Sequence, residues 1–268
     1  MTTALDADAL RAKLVAPHGP YAALDVVEST PSTNADLAAA PDAADRTVLI
    51  ALEQTAGQGR RGRSWASPVG GLYVSVLFRP AGVSPAKLPW LNLIAGLALV
   101  RVAQSAGVEA SLKWPNDLLL GSSAGKGAGI LSEITADGAV VVGMGLNVAK
   151  LPAGVEPAPG GLAPTSLEDS GATELDREEL AFRLLVELAG LEGVWRKNGG
   201  DAVESGVLEE YLEHSATVGS RVRVELSGGA AVEGTAQRVE PDGTLTVRGD
   251  DGLEHGVSAG DVVHLRPA

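Results

Sequence analysis

The sequence predicts an α+β fold: a mixed β-sheet with packed helices, followed by a small all-β unit. Three observations carry this. Apolar stretches of strand length alternate with helical segments along the first 218 residues. The longest apolar segment, residues 85 to 105, has Ala- and Leu-rich faces at helical spacing. After Gly219 the texture changes to short strands split by Gly and Asp turns, the pattern of a small antiparallel barrel. The chain therefore divides into a larger unit, 1–218, and a smaller one, 219–268.

Residues 6 to 15 read as a short amphipathic helix and "ALDVVE" (23–28) as a strand. Ser29, Ser32 or Thr33 can cap the helix "NADLAAA". "TVLIALE" (47–53) and "LYVSVLF" (72–78) are strands around a glycine-rich stretch. After the long helix come "ASLKW" (110–114), "DLLL" (117–120), "KGAGILSEIT" (126–135) and "AVVVGMGLNV" (139–148), with "TADG" (135–138) as a hairpin turn. Residues 150 to 164, rich in Pro, Gly and Ala, read as a surface connection. Asp176 caps a helix over 177–197, and a further helix runs to about 213. The last strands are "SRVRVEL", "AAVEGTAQRVE", "TLTVRG", "LEHGVS" and "VVHLR".

Composition narrows the function. The chain has 268 residues, is 45% hydrophobic and carries a formal charge of −13, which argues against a general polyanion binder. Yet from Gln54 to Val108 there is no Asp or Glu, while Arg60, Arg61, Arg63, Arg79, Lys87 and Arg101 fall there. Such bias suits a compact anionic ligand, or else a buried apolar segment with few charges of either sign. Without Cys there are no disulfides, cysteine nucleophiles or thiolate metal sites. His18, His214, His255 and His264 are scattered without metal-ligand spacing, so no protein metal site is expected. The N-terminus lacks a signal-peptide core. No apolar run is expected to reach membrane-spanning length, since "LPWLNLIAGLALVRVAQ" carries Asn92 and Arg101.

The stretch "AGQGRRGRSW" (56–65) matches G-x-G-x-x-G through Gly57, Gly59 and Gly62. A dinucleotide fold needs a helix straight after that fingerprint, and "SWASPVGG" with Pro68, Gly70 and Gly71 leads into another strand instead. "GSSAG" (121–125) fits the hydrolase elbow pattern but precedes a strand, so a polar hairpin turn is the better reading. "AGK" (124–126) fails as a P-loop, with Leu120 and Gly127 where Gly and Ser or Thr are required.

Separated polar elements between strands remain. Arg60, Arg61 and Arg63 can donate bidentate hydrogen bonds to phosphate or carboxylate oxygens, and the glycines allow close backbone approach. Trp65 can stack on a flat base or pack in the core. In "KWPND" Pro115 fixes a turn beside Lys113, Asn116 and Asp117. Lys126 opens a strand and could simply snorkel to water; Asn147 could simply terminate one. Together they suit a reaction joining a carboxylate to a nucleotide phosphate. Two anions meeting need positive charge between them, and a mixed anhydride needs a closable loop against water.

With these residues in view the chain resembles the biotin protein ligases. The matching segments, in the family's order, are "STN" (32–34), "QTAGQGRRGRSW" (54–65), "KWPNDLLL" (113–120), "KGAGILSE" (126–133) and "GMGLNV" (143–148). The resemblance implies a catalytic mixed-sheet domain plus an SH3-like C-terminal barrel. It implies activation of biotin with MgATP to biotinyl-AMP, then transfer to one lysine of a carrier domain of a biotin-dependent carboxylase. Ser32, Thr33 and Asn34 would hold the biotin head beside Gln54, with Gly57, Gln58, Gly59, Arg60, Lys126 and Gly129 completing the biotin site. Arg60, Arg61, Arg63, Trp65, Asn116 and Asn147 would bind ATP and the adenylate. Lys126, Arg60, Lys113 and Asp117 would be catalytic. Mg²⁺ would enter with ATP.

The resemblance also implies a cytoplasmic monomer or weak homodimer with no membrane or DNA partner. About twenty residues precede the matched region, too few to read DNA. The other functions in view are a lipoate or octanoate ligase of related fold and a biotin sensor without catalysis; the sensor would not need Lys126 and the arginines. Two departures stand out: Gln58 where the family's loop carries Arg, and Gly127 where it carries an apolar side chain, which predicts a looser strand.

Overall fold

The computed structural model describes residues 5–40, 42–158, 161–225, 231–258 and 260–265. The elements run α1 (Ala7–Leu14), β1 (Ala23–Val27), α2 (Thr33–Ala38), β2 (Thr47–Ala51), β3 (Leu72–Phe78), α3 (Trp90–Ser105), β4 (Ala110–Lys113), β5 (Asp117–Leu120), β6 (Gly125–Ile134) and β7 (Val140–Leu146). They continue with α4 (Arg177–Lys197), α5 (Val207–His214), β8 (Arg221–Glu225), β9 (Ala231–Val239), β10 (Leu245–Gly249), β11 (Glu254–Val257) and β12 (Asp261–His264). Capping sets the helix starts. Asp6 and Asp176 accept from backbone N–H groups at the heads of α1 and α4, and Ser32 does so for α2, which begins one residue earlier than "NADLAAA".

The first seven strands form one mixed sheet in the order β1-β2-β3-β7-β6-β5-β4. Only the β1–β2 ladder is parallel. The sheet is covered on both faces, so β3 and β7 are buried along nearly their whole length and read as continuous apolar runs. Alternation sorts their side chains. Leu72, Val74, Val76 and Phe78 of β3, with Val140, Val142, Met144 and Leu146 of β7, join α3 and α4 in the main core. The opposite face carries a small cluster under α2, Leu37, Leu49, Leu77, Ala139 and Val141.

Helix α3 is the central core helix, with Trp90, Leu97 and Val100 among its fully buried residues. By length and apolar composition alone, Pro85–Ser105 could cross a membrane, which corrects the expectation that no segment is that long. Its 18-residue apolar window is 72% buried inside the molecule, so packing against α4 and the sheet accounts for its composition.

The last five strands form an antiparallel sheet in the order β11-β10-β9-β8-β12. This is the small antiparallel unit that the sequence pattern predicted; among the described residues no ladder joins β11 to β12, so it is open at that edge. Alternation along each strand specifies an inner face but cannot specify closure. Buried indoles tie it to the larger unit: Trp90 Nε1, at the start of α3, donates to Pro241 O at 2.8 Å, and Trp114 Nε1, just after β4, to Gly243 O at 3.1 Å. The Trp114 backbone N–H donates to Thr217 Oγ1 at 2.9 Å.

Candidate active site

On the α2 side of the large sheet, alternate positions of β6 and β7 have no side chain. Gly129 lies opposite Gly145, and Leu131 opposite Gly143. A Cβ at Gly145 would stand 2.3 Å from Trp65 Nε1, and one at Gly129 would be 3.2 Å from the same ring. At Gly143 a Cβ would meet Asn34 Oδ1 at 2.2 Å. The glycines thus make a floor on which an indole and an amide lie directly against the sheet. Above it is a cavity of ≈1010 Å³.

One end of the cavity is a closed polar network. Gln54 Oε1 accepts from the Thr33 backbone N–H at 2.9 Å and from Thr33 Oγ1 at 3.1 Å, while Gln54 Nε2 donates to Ser67 Oγ at 2.9 Å. Asn34 Nδ2 donates to Leu131 O (3.1 Å) and Glu133 Oε2 (2.8 Å). Ser75 on β3 reaches both Thr33 Oγ1 and Asn34 Oδ1 at 2.7 Å. Ser32, Thr33 and Asn34 are each about 5% exposed or less, so this end is preorganised rather than solvated.

A charge cluster lies on β4, β5 and β6. Asp117 sits between two ammonium groups: Lys126 Nζ is 2.6 Å from Oδ1, a close ion pair at an angle outside hydrogen-bond geometry, and Lys113 Nζ is 3.5 Å from Oδ2. Burial pulls the Lys113 pKa below its ordinary value, and Lys126 adds to this while Asp117 opposes it. Lys126 Nζ also lies 5.2 Å from the Trp65 ring centroid, a cation–π contact. The cluster holds two cations against one carboxylate, a net positive surface facing the cavity. Asn116 and Ile130 exchange backbone and side-chain hydrogen bonds that fix the strand beside it, with Asn116 Nδ2 donating to Ile130 O at 3.0 Å.

The arginine segment crosses the cavity mouth as a narrow hairpin. Gly59 N donates to Arg63 O at 2.7 Å and Trp65 N to Gly57 O at 2.8 Å. At its tip Arg61 is in the left-handed region (φ 57°, ψ 35°). Arg60 and Arg63 line the cavity; Arg61 is exposed outside it. Burial lowers the Arg60 pKa, against the pull of Asp261, and the guanidinium stays charged. In the cavity wall Trp65 Nε1, a donor, and Asn147 Oδ1, an acceptor, are buried without a hydrogen-bond partner. Asn147 Nδ2 is occupied by Thr165 O at 2.9 Å.

The structure therefore gathers Ser32, Thr33, Asn34, Gln54, Gly57, Gln58, Gly59, Arg60, Arg63, Trp65, Lys113, Asn116, Asp117, Lys126, Gly129 and Asn147 around one cavity, and leaves Arg61 outside its lining. Gly127 lies at an irregularity in the β5–β6 pairing, where the register skips it, and a Cβ there would meet Leu120 Cδ1 at 2.1 Å, so the Leu120 side chain fills the space. The lining also includes residues not anticipated. Gly143 and Gly145 were legible as Gly at every second position of an apolar strand. Residues 151 and 153–158, with Leu162 and Pro164, line the cavity too, so the connection at 150–164 is part of the site and not only a surface link; residues 159–160 lie outside the described residues. Asp261 and Val262 come from β12, and no local signal marks them.

Residues 23–148 match the biotin/lipoate A/B protein ligase family, and residues 217–265 match the biotin protein ligase C terminal domain. The chain is 43% identical to the biotin–[acetyl-CoA-carboxylase] ligase of Mycobacterium tuberculosis, over 98% of this chain and 96% of that protein. It superposes on a biotin protein ligase from Aquifex aeolicus in complex with biotin and ATP with a TM-score of 0.73 and 25% identity, covering 92% of this chain and 100% of the other. A biotin protein ligase from Leishmania major in complex with biotinyl-5-AMP gives a TM-score of 0.60 and 26% identity, covering 90% and 100%.

Proposed function

Because the chain belongs to the biotin protein ligase family, we propose that it activates biotin with ATP and transfers it to one lysine of a biotin carboxyl carrier domain of a biotin-dependent carboxylase. The supporting observation is a single cavity with a closed polar network at one end and a net positive cluster, Lys113–Asp117–Lys126 with Arg60 and Arg63, at the other. A uncharged head group and a carboxylate find complementary surroundings there.

In the first step a biotin carboxylate oxygen attacks the α-phosphorus of ATP, forming the acyl phosphate bond and releasing pyrophosphate. Lys126 stabilises charge on both anions as they approach, and Asp117 holds its ammonium in place. Arg60 and Arg63 face the phosphates and Lys113 adds to the local potential. Ser32, Thr33, Asn34 and Gln54 hold the biotin head, while Gly57, Gln58, Gly59 and Gly129 bring the backbone close to it. Trp65, Asn116 and Asn147 border the adenine, and the unpaired Trp65 Nε1 and Asn147 Oδ1 suit a ligand that both donates and accepts. In the second step the carrier amine attacks the carbonyl carbon, AMP leaves, and the amine gives up a proton.

Mg²⁺ would enter with the nucleotide and neutralise charge on its phosphates, the usual mode for a cation held by few protein oxygens. Among the described residues no cluster of three carboxylate or imidazole groups exists to cage it. The unit 1–218 carries the biotin and nucleotide site, and 219–268 closes over it and helps receive the carrier. The protein acts in the cytoplasm as a monomer or weak homodimer, without a DNA or membrane partner; its net charge of −13 supports the DNA part of that reading. Biotin-dependent exchange of labelled pyrophosphate into ATP tests the first step. Exchange supported by lipoate or octanoate and not by biotin would reject it.

A further inference from the structure

Three arginines of the loop converge on one carboxylate of the C-terminal sheet. Arg63 Nη2 donates to Asp261 Oδ1 at 2.9 Å and Arg61 Nη1 to Asp261 Oδ2 at 3.1 Å. Arg60 Nη1 lies 4.0 Å from Oδ1 and donates to the neighbouring Gly260 O at 2.9 Å. Arg61 Nη2 takes a further acceptor from the same sheet, Glu225 O, at 2.9 Å. Asp261 is the first residue of β12 and pairs with Glu225 of β8, so both acceptors of Arg61 sit at one register position.

The geometry points to a division of labour within the loop: Asp261 and Arg61 form a clamp, and Arg60 and Arg63 are the groups the clamp positions. Arg61 lies outside the cavity and spends both terminal nitrogens on the C-terminal sheet. Its backbone is left-handed at the tip of the hairpin, and its side chain reaches that sheet. Asp261 is only 13% exposed at its side chain, against 36–39% for Arg61 and Arg63, so the carboxylate is the fixed part and the loop the movable one. Asp261 faces three guanidinium groups and is the acidic group through which the C-terminal sheet holds the loop. It also shares Arg63 with the cavity, so an anion entering the cavity and Asp261 draw on the same guanidinium. Asp261 is therefore a positioning residue: it sets the height of Arg60 and Arg63 over the nucleotide and couples loop opening to the C-terminal sheet. The loop's role in holding nucleotide rests on the proposed ligase reading; the clamp itself does not.

Two measurements on the full-length protein separate these. Hydrogen exchange of the amides of residues 57–65, read by mass spectrometry without ligand, reports the clamp alone. Asp261→Asn keeps the shape and removes the charge. It should speed that exchange about tenfold, the low end for charge-assisted hydrogen bonds at a part-exposed site, and leave β3, β6 and β7 unchanged. Arg61→Ala should do the same, and the double variant should add little to either. Asp261→Glu should restore most of the protection. In the second measurement, biotinyl-AMP formed on the enzyme should leave Asp261→Asn about tenfold faster as well. Unchanged exchange in Asp261→Asn, additive effects of the two substitutions, or equal loss of protection in the core strands would each overturn the clamp. A wild-type protein that makes no adenylate would instead defeat the ligase reading, with the exchange measurement still deciding the clamp.

Discussion

Replacing Lys126 by Ala separates chemistry from folding at this site. Its ammonium is 2.6 Å from Asp117 Oδ1 and 5.2 Å over the Trp65 ring, on a side chain only 15% exposed. Removing a preorganised cation from the place where charge develops costs about 2.7–4 kcal/mol, or ~100- to 1,000-fold in adenylation. The folding cost is smaller. Stripping a buried carboxylate of its partner costs about 3–5 kcal/mol, but Asp117 keeps Lys113 at 3.5 Å. About 1–2 kcal/mol is expected, a few degrees in Tm for a chain of this size. Biotin-dependent pyrophosphate exchange measures the first quantity and a thermal melt the second. Pairing Lys126→Ala with Asp117→Asn leaves the buried Lys113 without its carboxylate, so the melt should fall further and the exchange should not recover. Exchange within tenfold of wild type in the single variant would take Lys126 out of the mechanism. Recovery of exchange in the double variant would show that Lys126 merely neutralises Asp117.

Gly143→Ala should fold yet lose most biotin affinity by calorimetry, because its Cβ would displace Asn34 from 2.2 Å; unchanged affinity would remove Asn34 from the biotin site. Burial, with Lys113 nearby, pushes the His264 pKa down to about 4 from its ordinary 6.5. The unfolded chain then takes up a proton below pH 6.5 that the folded chain refuses until about pH 4, so stability present above 6.5 is lost as pH falls through that window. Fully realised, the shift corresponds to ~3 kcal/mol, and solvent screening of this part-exposed ring reduces it to about 1–2 kcal/mol. His264→Gln should flatten urea-melt stability between those pH values, and an unaltered slope would count against the assignment. A 1–218 fragment should melt well below the full chain, since the buried Trp90 and Trp114 indoles lose the acceptors Pro241 O and Gly243 O. Leaving each unpaired costs about 1–3 kcal/mol, and a fragment with the parent's Tm would contradict this. Biotin should slow tryptic cleavage at Arg60–Arg63, and equal rates with and without it would speak against loop closure.

The sequence was most legible where one residue type must recur at a fixed period. The strands β3 and β7 followed from apolar stretches of strand length, the starts of α2 and α4 from residues in capping position, Ser32 among three candidates and Asp176, and the hairpin at 121–124 from its small polar residues. The cavity lining followed where the residues sit in contiguous segments between strands, as in 32–34 and 54–65. What was illegible depends on distant pairing. Asp261 meets Arg61 across 200 positions of sequence, through the β8–β12 ladder that sets its height. The Pro- and Gly-rich connection at 150–164 reads as a loop, but where a loop lies is decided by the sheet it crosses. The five short strands of the C-terminal unit were legible, whereas the open edge between β11 and β12 was not: each strand shows its inner face, and whether the end strands meet is a property of all five.

The proposed reaction turns a carrier lysine into a biotinyl amide at the expense of ATP. The most direct test is to incubate the protein with biotin, MgATP and a biotin carboxyl carrier domain, and to weigh the intact carrier. The carrier should gain the mass of one biotinyl group, only when ATP is present, and lose that gain when its acceptor lysine is replaced by Arg. A carrier of unchanged mass, or one modified by lipoate or octanoate in place of biotin, would contradict it.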